Sequence, residues 1–151
     1  LFELRKIVEP SAAALAATRI TEGEVAALAE ALSRMSRSSP RSGAWLTAAV
    51  AFHQQILAAS HNEILVSMWP AIQTTIRWSV RLQMMLPDLA LASDPVADHA
   101  RVFDRIAAHD PQATLTETAL LTDAAYADTL SNMRRIALAG GGPLRQGGPA
   151  G

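Results

Sequence analysis

From Leu1 to about Leu138 apolar residues recur every three or four positions, and helix-start signals punctuate the pattern. Such a chain is constrained to fold as packed helices. Leu4, Ile7, Val8, Leu15 and Ala16 mark a first stretch to about Thr18, with Pro10 placed to kink it or to end a short first piece. Thr21-Glu22-Gly23-Glu24 has the form of a capping box, and Val25, Leu28, Leu32 and Met35 follow at helical spacing. Ser38 to Gly43, with Pro40 inside, reads as a loop. A third helix is expected from about Ala44 to Ser60, with Leu46, Val50, His53 and Leu57 on one face. A fourth runs from near Asn62 towards Leu86 through Met68, Ile72, Ile76 and Val80, bent at Pro70. After a second loop, Pro87 to Ser93, the pairs Asp94-Pro95 and Asp110-Pro111 each set a capping carboxylate before a proline at the first helical position. They start helices five and six, which end near Leu138.

The threonine alternation between Thr114 and Thr122 also suits a strand, but the preceding cap, the flanking alanines and the spacing Ala119, Tyr126, Met133 favour a helix. No hairpin, βαβ alternation or internal repeat is visible. The expected fold is therefore all-α, an antiparallel bundle of about six to seven helices over residues 1–138, with 139–151 a disordered glycine- and proline-rich tail.

Composition narrows the function. Half of the 151 residues are hydrophobic and only 18% are charged, which suggests that part of the surface is covered by a second copy of the chain. A net charge of −1, no basic tract and 5% aromatic residues leave no electrostatic or stacking surface for nucleic acid. The absence of cysteine excludes disulfides, thiolate nucleophiles and Cys-ligated zinc, and agrees with a cytoplasmic setting. There is no apolar run of about 18 residues and no signal peptide. The chain opens on Leu1, already inside an amphipathic pattern, and reads as part of a longer protein.

Of the four histidines, His53 and His99 sit on otherwise apolar helix faces. Two imidazoles from different helices can hold a metal or an anionic ligand, or can simply be core histidines with satisfied hydrogen bonds. His61 and His109 fall at helix ends and read as surface or capping residues. Arg77 and Gln73 share a face with Trp69 and Ile76, where an arginine can clamp a carboxylate or stay solvated. Trp45, Trp69 and Trp78 read as packing anchors. No nucleophile–base pair or phosphate-cradling loop is present, so the chain is not expected to be an enzyme.

Phe2-Glu3-Leu4-Arg5 with Glu9-Pro10 and Ala13 to Ala17, then Phe52-His53 with Ser60-His61-Asn62, then Asp98-His99 with Ile106, Asp110 and Ala113 together resemble the FCD ligand-binding domain of FadR-type GntR-family transcription regulators. The likeness covers roughly residues 1–130. It implies an effector-binding and dimerisation domain, with operator DNA bound only through an N-terminal winged helix-turn-helix absent from this chain. It also implies a pocket for a small organic acid, for which His53, His99, Arg77, Gln73, Arg5 and Asn62 are the candidate residues. Many members hold a metal with one Asp and three His. His53 and His99 match two of those ligands, while Ala49 and Leu121 stand where the others are expected, with Glu117 the nearest side chain able to compensate. No cofactor is therefore expected beyond weakly held zinc or nickel. The competing reading is a helical interaction or scaffold domain without a small ligand.

Overall fold

The computed structural model describes residues 2–86, 88 and 90–140 and contains only helices among them. The elements are α1 (Phe2–Arg19), α2 (Glu22–Arg37), α3 (Gly43–Ala59), α4 (Glu63–Ser67), α5 (Trp69–Met85), α6 (Pro95–Ala107) and α7 (Pro111–Gly140). The expected tail falls almost wholly on residues 141–151, outside the described ones.

The start signals act as their chemistry requires. Thr21 N donates to Glu24 Oε2 at 2.9 Å and Glu24 N donates to Thr21 Oγ1 at 3.3 Å, which completes the reciprocal box. Asp94 Oδ1 accepts from the amides of Val96 and Ala97, and Asp110 Oδ1 from that of Ala113. Each removes an amide left unpaired by helix geometry.

The two interior prolines behave differently. Pro10 lies inside a continuous α1 and neither ends it nor splits off a first piece. Near Pro70, by contrast, the expected single bent helix is two helices meeting at Met68, with Pro70 in the first turn of α5. Proline lacks an N–H and its ring crowds the carbonyl one turn back, so restarting the helix places it where no donor is needed. Asn62 caps the short α4, its Oδ1 accepting from Ile64 N and Leu65 N.

Helix α1 packs most extensively on α7, and α2 on α3. Ala12, Ala13, Ala16 and Ala17 are fully buried on α1, and small side chains let helix axes approach closely. On α7 the buried Thr114, Thr118 and Thr122 each donate a hydroxyl to the carbonyl four residues back, at 2.6, 2.7 and 3.2 Å. That bond resolves the ambiguity of the threonine run: a back-bonded threonine hides its hydroxyl inside its own helix and offers a methyl to the core. Phe52, Leu28, Met35, Leu57, Ile72 and Ile106 fill the centre. None of the described helices is long and apolar enough to cross a membrane.

Candidate functional site

A cavity with about 50 Å³ of water-accessible space lies between α1, α3, α5, α6 and α7. Helix α3 gives it Trp45, Ala49 and His53, one turn apart on a single face. His99 enters from α6, Arg5 from α1 and Leu121 from α7.

A chain of buried polar groups runs along one side. Arg5 Nε donates to Glu9 Oε1 at 2.5 Å and Nη2 to Glu9 Oε2 at 3.3 Å. The other face of the same carboxylate meets His53 Nδ1 at 2.9 Å. His53 Nε2 then faces His99 Nε2 at 3.2 Å, and His99 Nδ1 donates to the Pro95 carbonyl at 2.6 Å. Burial alone would raise the Glu9 carboxyl, but the charges and hydrogen bonds of Arg5 and His53 hold it far below the usual range. His99 is boxed edge-on by Trp45, Phe52 and His53. Burial first, and then the His53 charge, lower its pKa to about 3, so its ring is neutral.

These bonds fix the tautomers. An ionised Glu9 accepts, so His53 donates from Nδ1; the Pro95 carbonyl accepts, so His99 donates from Nδ1. With one proton on each ring, both Nε2 atoms would keep a lone pair and the two lone pairs would point at each other. The contact is favourable only with a proton on one of these nitrogens or a cation between them.

A metal fits this donor set poorly. Ala49 and Leu121, which replace the expected ligands, line the same cavity as the two histidines and offer only hydrocarbon. Glu117 is turned away and pairs with Arg101, its Oε2 3.4 Å from Arg101 Nε. Among the described residues no group of three or more His, Asp or Glu side chains could hold an ion. Two imidazoles fall short of the three protein ligands that zinc sites ordinarily use.

The structure brings together three of the six candidate ligand-binding residues, Arg5, His53 and His99, and leaves the other three outside the cavity. Helix α5 presents Ile76, Ser79, Val80 and Gln83 to it, so Gln73 and Arg77 lie on a neighbouring face and are half-buried there. Their spacing to Ile76 fits a shared stripe, but the stripe that faces inward is centred on the other side of Ile76. Asn62 is used as a cap. His61 and His109 are helix-end residues with φ of 49° and 54°, the left-handed conformation that follows many helices. His61 bonds Glu24 and His109 bonds the Ala17 carbonyl. Trp45 and Trp69 pack against or within the core, whereas Trp78 is 43% exposed and no anchor.

The sequence reading missed Glu9 and the Trp45 wall. A signal for Glu9 existed, since Arg5 and Glu9 stand one turn apart on a helix whose other inward residues are apolar. On the same α3 face as His53, Trp45 Nε1 is buried without a partner, the one such side-chain atom among the described residues. Leaving a buried donor unpaired costs on the order of 1–3 kcal/mol. Asp98 and Asp128 also line the cavity. Asp98 accepts from Ser93 Oγ and Arg101, and Asp128 Oδ1 accepts from Ala92 N at 2.7 Å. Burial, assisted by the Asp98 charge, raises the Asp128 carboxyl.

Residues 1–123 match the FCD domain, which covers most of the chain. This chain belongs to the FCD domain family. It is also 31% identical over 120 residues, 80% of its length, to the galactonate operon transcriptional repressor of Escherichia coli strain K12. That alignment takes in 51% of the relative, so the chain spans about half the length of the protein it matches. Both findings place this FCD domain among regulatory modules rather than enzymes, in a helical fold as the sequence implied.

Proposed function

We propose that this FCD domain is the effector-binding and dimerisation half of a GntR/FadR-type regulator acting in the cytoplasm, and that its effector is a small organic acid. The observation that carries the reading is the cavity itself, lined by five helices, with a buried arginine and an imidazole pair among its residues. Glu9 engages Arg5 through Nε and Nη2, so the two N–H groups of Nη1 are left for a ligand carboxylate. Because Glu9 already neutralises Arg5, an entering carboxylate would carry uncompensated charge unless the imidazole pair holds a proton or a cation. The relative's name ties it to a galactonate operon, and galactonate is a small acid.

Operator DNA would be bound by a separate winged-helix domain, and effector binding would shift its placement only if the effector prefers one arrangement energetically. Self-association is supported by the low charge and by large apolar side chains left in solvent, including Ile7 and Leu120. Metal would be held weakly.

A thermal-shift screen of metabolic acids tests the effector. A ligand at a hundred times its Kd should raise stability by about 2.7 kcal/mol. At least one acid should do so, and His99→Gln should weaken it. If no acid shifts the melting temperature, the scaffold reading stands instead. Light scattering should give a dimer at micromolar concentration, and a monomer would refute self-association.

A further inference from the structure

We infer that Trp45, Ser79 and Gln83 form an uncharged hydrogen-bonding subsite that selects a polyhydroxylated ligand. The inference rests on the effector reading and specifies the part of the ligand that meets no charged group.

The three side chains come from the first turn of α3 and the second half of α5, and all face the cavity. Trp45 Nε1 is a donor with no acceptor. Ser79 and Gln83 are 3% and 8% exposed, and neither side chain makes a hydrogen bond among the described residues. Ser79 departs from the habit of the other buried hydroxyls. Thr75, one turn earlier on the same helix, bonds the Ala71 carbonyl at 3.1 Å, as Thr114, Thr118 and Thr122 bond theirs. Buried polar groups in folded proteins are nearly always paired, so a buried, unpaired indole N–H in a cavity also lined by two unbonded polar side chains points to partners that come from outside the chain.

The types of group decide the chemistry. An indole N–H donates only, while a serine hydroxyl and a glutamine amide both donate and accept. None is charged, and the carboxyl groups of Asp98 and Asp128 line the same cavity. A hydroxyl group is neutral and serves as donor and acceptor at once, so it satisfies all three. An aliphatic chain satisfies none and would leave their desolvation uncompensated. The ligand is thus oriented with its acidic head towards Arg5 and the imidazole pair and its hydroxyls towards Trp45. A site built to hydrogen-bond hydroxyls rejects an analogue lacking them far more strongly than an apolar pocket rejects an added one.

The test compares six-carbon acids of matched length on the 151-residue chain by titration calorimetry: aldonates and aldarates against hexanoate and adipate. At least one hydroxylated acid should bind about tenfold or more tighter than its deoxy counterpart. Trp45→Phe and Ser79→Ala should each shrink that ratio without weakening the deoxy acid, and circular dichroism establishes that the variants fold. The indole ¹⁵N–¹H resonance that Trp45→Phe removes should shift on saturation with the hydroxylated acid. Equal or tighter binding of the deoxy acids, unchanged ratios in the variants, or an unmoved indole resonance would overturn the subsite and leave the effector reading intact. If no acid of either series binds, both fall together.

Discussion

On one side of the cavity Arg5, Glu9, His53 and His99 form an unbroken line of hydrogen bonds ending at the Pro95 carbonyl. Elsewhere on its lining, the side chains of Trp45, Ser79 and Gln83 make no hydrogen bond among the described residues. Both walls are polar and both lie within one core, yet they serve opposite ends. The first carries ionised groups, which a folded chain cannot leave unpaired, so it must be completed by the protein itself. The second carries neutral groups, whose desolvation a stable domain can tolerate at a few positions. Incompleteness is therefore affordable only on the neutral wall, and a ligand can complete it.

Breaking the charged wall should have the largest effect. Glu9→Ala leaves Arg5 buried without its counter-charge and should lower the unfolding free energy by about 3–5 kcal/mol, read from urea denaturation. The paired change Arg5→Met with Glu9→Leu should recover most of that loss. A loss below about 1 kcal/mol for Glu9→Ala would show that the line of bonds is not holding α1 to α3.

The same wall can be sharpened towards metal. Ala49 and Leu121 already line the cavity with His53 and His99, so Ala49→Asp with Leu121→His supplies the missing donors. Zinc or nickel should then bind at least about a hundredfold tighter than to the unaltered chain, whose metal content after tag-free purification should be clearly below one equivalent. Stoichiometric metal in the unaltered protein would mean that a ligand has been overlooked. Failure of the double variant would mean that the two rings do not converge on one ion.

Acid should also separate the two walls. The Glu9 carboxyl lies below its ordinary value of 4.5, so its contribution is complete above that pH and is lost as pH falls towards the folded value. His99, lowered from 6.5 to about 3, refuses a proton that the unfolded chain accepts, so stability declines from about pH 6.5 down to about pH 3. His99→Gln should flatten that decline by at most about 1.4 kcal/mol per pH unit, measured as denaturation midpoints across the range. An unchanged slope would show that His99 titrates alike in both states.

The neutral wall should give the smallest response. Without ligand, Ser79→Ala removes a hydroxyl that bonds nothing and should alter stability by no more than about 0.5 kcal/mol. Arg77→Ala, outside the cavity, should leave the affinity for any acid unchanged. A strong effect of Arg77→Ala on binding would require α5 to be rotated from its present face.

Much of the fold was legible because its signals are local. The Thr21–Glu24 box, the Asp94-Pro95 and Asp110-Pro111 starts and the loop at 38–42 depend on residues within one helical turn of each other. The break at Met68 was not legible, because a proline in a helical pattern is consistent with a continuous helix, as at Pro10, or with a restart, and packing chooses between them. In the site, His53 and His99 stood out as polar residues on apolar faces. Which face of α5 turns inward was ambiguous, since Ile76 belongs equally to a stripe with Gln73 and Arg77 and to one with Ser79 and Gln83.

The sequence by itself determined the helices, their caps, the family and the two inward histidines, because periodicity and capping act over three or four residues and need no partner. Only the tertiary structure decided that His53 meets His99 across 46 residues of chain, that Glu9 orients one ring, and that Trp45 is left without an acceptor. Those facts depend on how helices rotate and cross, which is settled by the packing of α1, α3, α6 and α7 on one another and not by the pattern of any single helix.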